Sequence, residues 1–203
     1  MRESYIVSAL LALKPGAEWT ARGDNYSGLE WLDKSQTKPT DQEIEEKIAE
    51  IKYQEEINVY QEKRKLEYPD WGDQLDQIYH SGIDVWKSDI KKIKDKYPKQ
   101  TMDATELQKR KDAAVFEMQK RNYKVAVARL AQHELSAGLK DENGNYVIEP
   151  VPLVTYVMMS VGGKSENLEP VRNPIIIEDE EQRKAAQEVI DKTPQAVIDS
   201  INT

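Results

Sequence analysis

The chain has 203 residues, of which 33% are charged and 38% hydrophobic, and it carries a net charge of −8. Average soluble domains are about 25% charged and about 45–50% apolar, so this chain is short of core and long on solvated surface. It contains no cysteine, which excludes disulfides, thiolate catalysis, Cys-ligated zinc and iron–sulfur clusters.

Long helices, extended arms and burial against other subunits fit this balance better than one compact globule. Charge is distributed unevenly. Residues 1–40 sum to 0, 41–100 to −4, 101–138 to +2 and 139–203 to −6. Domains that bind duplexes carry a basic patch, so no nucleic-acid partner is expected. The longest uncharged run, 150–163, has 14 residues and two prolines. A membrane-spanning helix needs about 20 apolar residues, so no membrane partner is expected either. Residues 5–13 are apolar, but Glu3 cancels Arg2 and no small-x-small site follows Leu13, which argues against a signal peptide.

From the N-terminus, residues 5–13 read as a β-strand by alternation, although a short apolar run also suits a buried helix. Lys14-Pro15-Gly16 is a turn. A hairpin follows, with strands at 17–21 and 26–32 around a turn at Arg22-Gly23-Asp24-Asn25. Trp19 and Trp31 are expected to face each other or a partner. Arg22-Gly23-Asp24 spells an integrin-binding tripeptide, but a hairpin tip that needs glycine explains it without a receptor.

Thr40 with Glu43 three residues later forms a capping box. The helix it opens should run over 41–67, about 40 Å long. Ile44, Ile48 and Ile51 mark one stripe; Tyr53, Ile57 and Tyr60 mark another. So polar a helix either projects into solvent or pairs with another helix. Tyr68-Pro69 ends it. A short helix is expected at 70–81, closed by Gly82, and another at 84–97 with Trp86, Ile90, Ile93 and Tyr97 on one face. Asp103 and Glu106 open a long helix to 137, closed by Gly138.

Beyond Gly138 the texture changes. Asn143-Gly144 suits a hairpin turn. Residues 145–149 and 151–161 read as strands, the second confined to an edge or seam by Pro150 and Pro152. Gly162-Gly163 is a turn, 172–177 a further strand and 179–191 an acidic helix. Thr193 caps a last helix, with Pro194 at its first position and Val197, Ile198 and Ile201 on one face. The fold class is α+β, mainly helical: an N-terminal β-hairpin arm, long polar helices and a small C-terminal β/α module, elongated rather than compact. Its segments are a hairpin arm at 1–40, a helical region at 41–99, a long helix at 100–138 and a docking module at 139–203.

Chemistry-bearing motifs are scarce. His80 and His133 are the only histidines. Asp76 and His80 stand at i, i+4, but a metal site needs three or four ligands. No G-x-S-x-G elbow is present. Ser160-Val161-Gly162-Gly163 lacks the lysine–serine pair of a phosphate loop and reads as a turn. The acidic run 178–181 reads as the first turn of a helix, where the macrodipole favours negative charge. No catalytic, cofactor-binding or metal residues are assigned, and no cofactor is expected. The 10 tyrosines and 4 tryptophans against 1 phenylalanine suit surfaces with one apolar and one wet side. They are read mainly as subunit contacts, with ordinary half-buried packing as the alternative. Interface residues are assigned at Trp19, Trp31, Trp86, Ile90, Ile93 and Tyr97 and, in the strand expected to dock a neighbouring protein, at Val154, Tyr156, Val157 and Met158.

Two blocks carry a resemblance. One is Ala12-Leu13-Lys14-Pro15-Gly16-Ala17-Glu18-Trp19 with Asp24-Asn25-Tyr26-Ser27-Gly28-Leu29-Glu30-Trp31-Leu32-Asp33 and Lys38-Pro39-Thr40. The other is Tyr68-Pro69, Gly72-Asp73-Gln74-Leu75-Asp76-Gln77-Ile78-Tyr79-His80 and Ile93-Lys94-Asp95-Lys96-Tyr97-Pro98. Over residues 5–99 the chain resembles small proteins from the tail-gene regions of tailed bacteriophages, especially marine ones. The resemblance implies a non-enzymatic virion structural protein of the tail or tail-fibre attachment. Such a protein would self-assemble, as a trimer by analogy with many fibres, and dock to other virion proteins. It would reside in the virion tail, and in the host cytoplasm during assembly. The alternative is a tail or fibre assembly chaperone absent from the mature particle. A carbohydrate-binding or hydrolase module is a third class.

Overall fold

A computed structural model describes residues 4–23, 26–161 and 164–202. The fold is mainly helical α+β. Among the described residues, seven α-helices accompany three two-stranded antiparallel sheets. The chain forms two compact units, 1–115 and 116–203, with the boundary inside one long helix.

In the first unit, residues 5–13 form a helix, α1 (Tyr5–Leu13), and not the expected strand. Ile6, Ala9 and Leu10 are buried, and with Leu13 they repeat at i, i+3, i+4, i+7. The run is apolar on both sides, so it holds a two-residue alternation and a helical stripe at once. Leucine and alanine favour the helix, and packing decides it: the buried face meets Leu29 and Ile44 in one cluster.

The hairpin follows as expected, with β1 (Trp19–Ala21) and β2 (Leu29–Trp31) joined through a 3-10 turn at Tyr26–Gly28. Trp19 stands opposite Trp31. Asp24 and Asn25, at the expected hairpin tip and in the Arg-Gly-Asp tripeptide, lie outside the described residues. Gly28 allows the chain to close on itself. A Cβ there would lie 1.9 Å from the Arg22 carbonyl oxygen, while the Arg22 N–H donates to the Gly28 carbonyl at 2.9 Å. After β2, the Asp33 carboxylate accepts from the Ser35 N–H (2.6 Å), the Ser35 hydroxyl (2.7 Å) and the Gln36 N–H (2.9 Å). These bonds hold the turn that leads into the next helix.

That helix, α2 (Asp41–Glu67), starts at the expected capping box. The Glu43 N–H donates to the Thr40 hydroxyl at 3.2 Å, and the Thr40 N–H donates to the Glu43 carboxylate at 2.7 Å. Ile44 belongs to the α1 cluster, with Ile48 and Ile51 packed beside it. Tyr53 of the second stripe, with Glu50 and Glu56 beside it, meets the start of α5 (Ala104–Ala131). Arg110 forks onto Glu56 at 2.6 and 3.2 Å and lies 4.3 Å over the Tyr53 ring. Lys111 reaches Glu50 at 3.6 Å. Of the two options its composition left open, the polar helix takes the second and has a helical neighbour.

Tyr68 ends α2. Asp70 caps α3 (Trp71–Ser81), accepting from the Asp73 N–H at 2.9 Å. Gly82, at φ +83°, is the only residue between α3 and α4 (Ile83–Lys96). The end of α4 returns to the end of α2. There Arg64 donates to the carbonyls of Tyr97 (2.9 Å) and Lys94 (3.1 Å). Since α3 departs from that same point, α3 and α4 run back along each other as a hairpin.

In the second unit, α5 stops at Ala131, short of the expected 137. Carbonyls beyond it serve other partners: Gln132 accepts from Arg183 at 2.6 Å, and Leu135 from the Val151 N–H at 2.7 Å. Gly138 has φ +68°, the left-handed conformation expected of it. The Asn143-Gly144 turn joins β3 (Leu139–Lys140) to β4 (Tyr146–Ile148). Next come β5 (Val154–Val161) and β6 (Lys164–Arg172). The expected Gly162-Gly163 turn lies outside the described residues.

The expected strand at 172–177 is overturned. Asn173 accepts from the Ile175 N–H and Pro174 takes the first position of α6 (Pro174–Lys192), an asparagine cap with proline behind it. The acidic run 178–181 therefore lies a turn inside α6 and is not its first turn. Thr193 also differs from expectation. It is the C-cap of α6, its hydroxyl donating to the Val189 carbonyl at 2.6 Å, while α7 (Gln195–Asn202) starts beyond Pro194.

Candidate functional site

The residues assigned to contacts fall into three groups. Trp19 and Trp31 are half-buried and pack against the α1 cluster. The Trp31 indole donates to the Gln36 carbonyl at 2.9 Å. Much of their apolar surface is therefore used within the chain.

Trp86, Ile90, Ile93 and Tyr97 are all half-buried along one side of α4. The Trp86 indole donates to the Gln74 side chain at 3.1 Å, and Gln77 donates to Asp89 at 2.7 Å. This stripe closes the α3–α4 hairpin. At its end, Glu67 accepts from Lys96 and from the Tyr97 hydroxyl. Those hydrogen bonds, Lys96 first, lower the Glu67 pKa; Glu67 in turn raises that of Lys96.

Val154 is exposed on β5. Tyr156, Val157 and Met158 pair along the backbone with Pro170, Glu169 and Leu168, and their side chains lie outside the described ones. Among the described residues β5 and β6 pair only with each other. A lone two-stranded ribbon is marginal in water.

The strongest surface feature was not among the assigned residues. Trp71, Leu75 and Tyr79 follow each other at i, i+4, i+8 on α3 and are 78%, 63% and 84% exposed. Leu66 at the end of α2 is 85% exposed. The spacing was readable in the sequence.

Among the described residues of the second unit, one carboxylate is buried. Asp179 is 6% exposed and accepts from Arg129 and, at 3.1 Å, from Arg183. The Arg129 bond is the main cause that lowers its pKa against the opposing effect of burial. A groove beside it is lined by His133, Leu135 and Leu139. His80 lies 3.3 Å from Asp76 on the open surface of α3. Among the described residues, no group of three or more His, Cys, Asp or Glu is placed to hold a metal ion, and no helix is long and apolar enough to cross a membrane. Comparison with protein-family models, curated proteins and solved structures found no match.

Proposed function

We propose that the chain is a non-enzymatic virion structural protein of a bacteriophage tail or tail-fibre attachment, working by self-assembly and by docking to other virion proteins. The observation that carries this reading is the exposed aromatic and aliphatic surface of α3, with Trp71 and Tyr79 almost bare. Clustered exposed apolar side chains mark contact surfaces. The resemblance of residues 5–99 to phage tail-region proteins supplies the setting.

A second reading has its own support. A bare apolar face also suits an assembly chaperone that covers a tail or fibre protein and then leaves. Mass spectrometry of purified particles separates the two. A structural protein is present at a fixed ratio to the other tail proteins; a chaperone is absent, although tails fail to form without it. Activity of the purified chain against host polysaccharide would overturn both.

A further inference from the structure

We infer that the open face of the α3–α4 hairpin binds the same face of a second copy, with α3 of each copy stacked on α4 of the other. This rests on the self-assembly reading and names its surface.

The argument starts from helical rotation. On α3 the side turned toward α4 carries Gln74, Gln77 and Ile78, and the exposed stripe Trp71-Leu75-Tyr79 lies about 100° further round at 3.6 residues per turn. On α4 the side turned toward α3 carries Trp86, Ile93 and Tyr97. Ile83, Lys87 and Lys94 lie about 70° further round in the same sense of chain advance. Because the two helices run in opposite directions, equal rotations bring both stripes to one side of the hairpin. That face combines Trp71, Leu75, Tyr79 and the 51% exposed Ile83 with two exposed lysines.

Two-fold symmetry allows two ways of stacking such a face on itself, since an isologous contact uses the same patch twice. With the axis across the helices, α4 lies on α4. Lys87 then meets the partner's Lys94, and like charges oppose the contact. With the axis along the helices, α3 lies on α4. Counting outward from Gly82, Lys87 is five residues out and Tyr79 three, an offset of about 3 Å that a lysine side chain spans, while Lys94 is twelve out and Trp71 eleven. Each ammonium then comes over an aromatic ring of the other copy, an attractive arrangement. This chain already uses it internally: Lys38 lies 4.5 Å over Tyr26, and Lys52 lies 4.8 Å over Tyr5. Charge therefore selects the second arrangement. Its product is a four-helix bundle in which every helix is antiparallel to its neighbours, a stable packing for two hairpins.

Sedimentation equilibrium of the full chain tests the association. The wild type should dimerise. The double substitution Leu75→Glu with Tyr79→Glu should be monomeric at the same concentration, with unchanged far-UV dichroism, since both positions face solvent. Disulfide trapping tests the geometry, and the chain has no cysteine to interfere. A mixture of a Tyr79→Cys chain with a Lys87→Cys chain should cross-link, and Leu75→Cys alone should not. Three results would each overturn the inference: a wild-type monomer, a dimer unmoved by the double substitution, or cross-linking by Leu75→Cys alone. Incorporation into particles is read separately, so the interface and the structural role fail independently.

Discussion

Two aspartates show what single side chains do here. The Asp33 carboxyl is held at about 2, below its ordinary 3.8, chiefly by the Ser35 hydroxyl and then by the Gln36 and Ser35 N–H groups. A pKa depressed in the folded chain contributes stability above the unfolded value, and this is lost as pH falls from about 4 to about 2. The Trp31 indole donates to Gln36 within the same turn. Its N–H resonance should therefore shift across that acid range in the wild type and stay flat in Asp33→Asn. A wild-type resonance that does not move would count against the assignment. Asp179 acts differently because it is buried between two arginines. Asp179→Asn removes the carboxylate that Arg129 and Arg183 share, and should cost about 3 kcal/mol, the low end for breaking a buried pair. Thermal melting of the variant measures it, and an unchanged midpoint would show that solvent already screens the cluster.

At the level of elements, legibility followed the strength of local signals. The α2 start was readable because Thr40 and Glu43 satisfy each other without outside help. The ends of α3 and α4 were readable because Gly82 and Pro98 act on the backbone alone. By contrast, α1 took its identity from Leu29 and Ile44, which no local window contains. The α6 start was legible in principle. Asn173-Pro174 is a cap followed by a first-turn proline, while the β-branched Ile175, Ile176 and Ile177 that come next also suit a strand. The α3 stripe had the right period, yet periodicity cannot tell a face turned inward from one left open. The α4 stripe gives a prediction at this scale. Ile90 is half-buried, so Ile90→Ala should cost about 1–2.5 kcal/mol, roughly half the range of a fully buried site. Urea unfolding checks this, and an unchanged midpoint would remove Ile90 from the hairpin seam.

On the scale of the whole molecule, the proposed role divides between the helical first part and the strands after Gly138. Truncation after Gly138 removes the β5–β6 ribbon together with β3, β4, α6 and α7, and a ribbon with open edges is a ready place for another protein's strand to add. The truncated chain should still self-associate through α3 and α4 but fail to enter particles, as mass spectrometry of particles would record. Incorporation at the wild-type level would move the docking surface into residues 1–138. The return of α4 to α2 has a consequence for protein engineering. Arg64 holds the far end of the hairpin within one side chain's reach of the place where the hairpin began. The α3–α4 pair is thus a cassette with adjoining ends: it can be excised and closed with a short linker, or exchanged for another hairpin, without lengthening the path from α2 to α5.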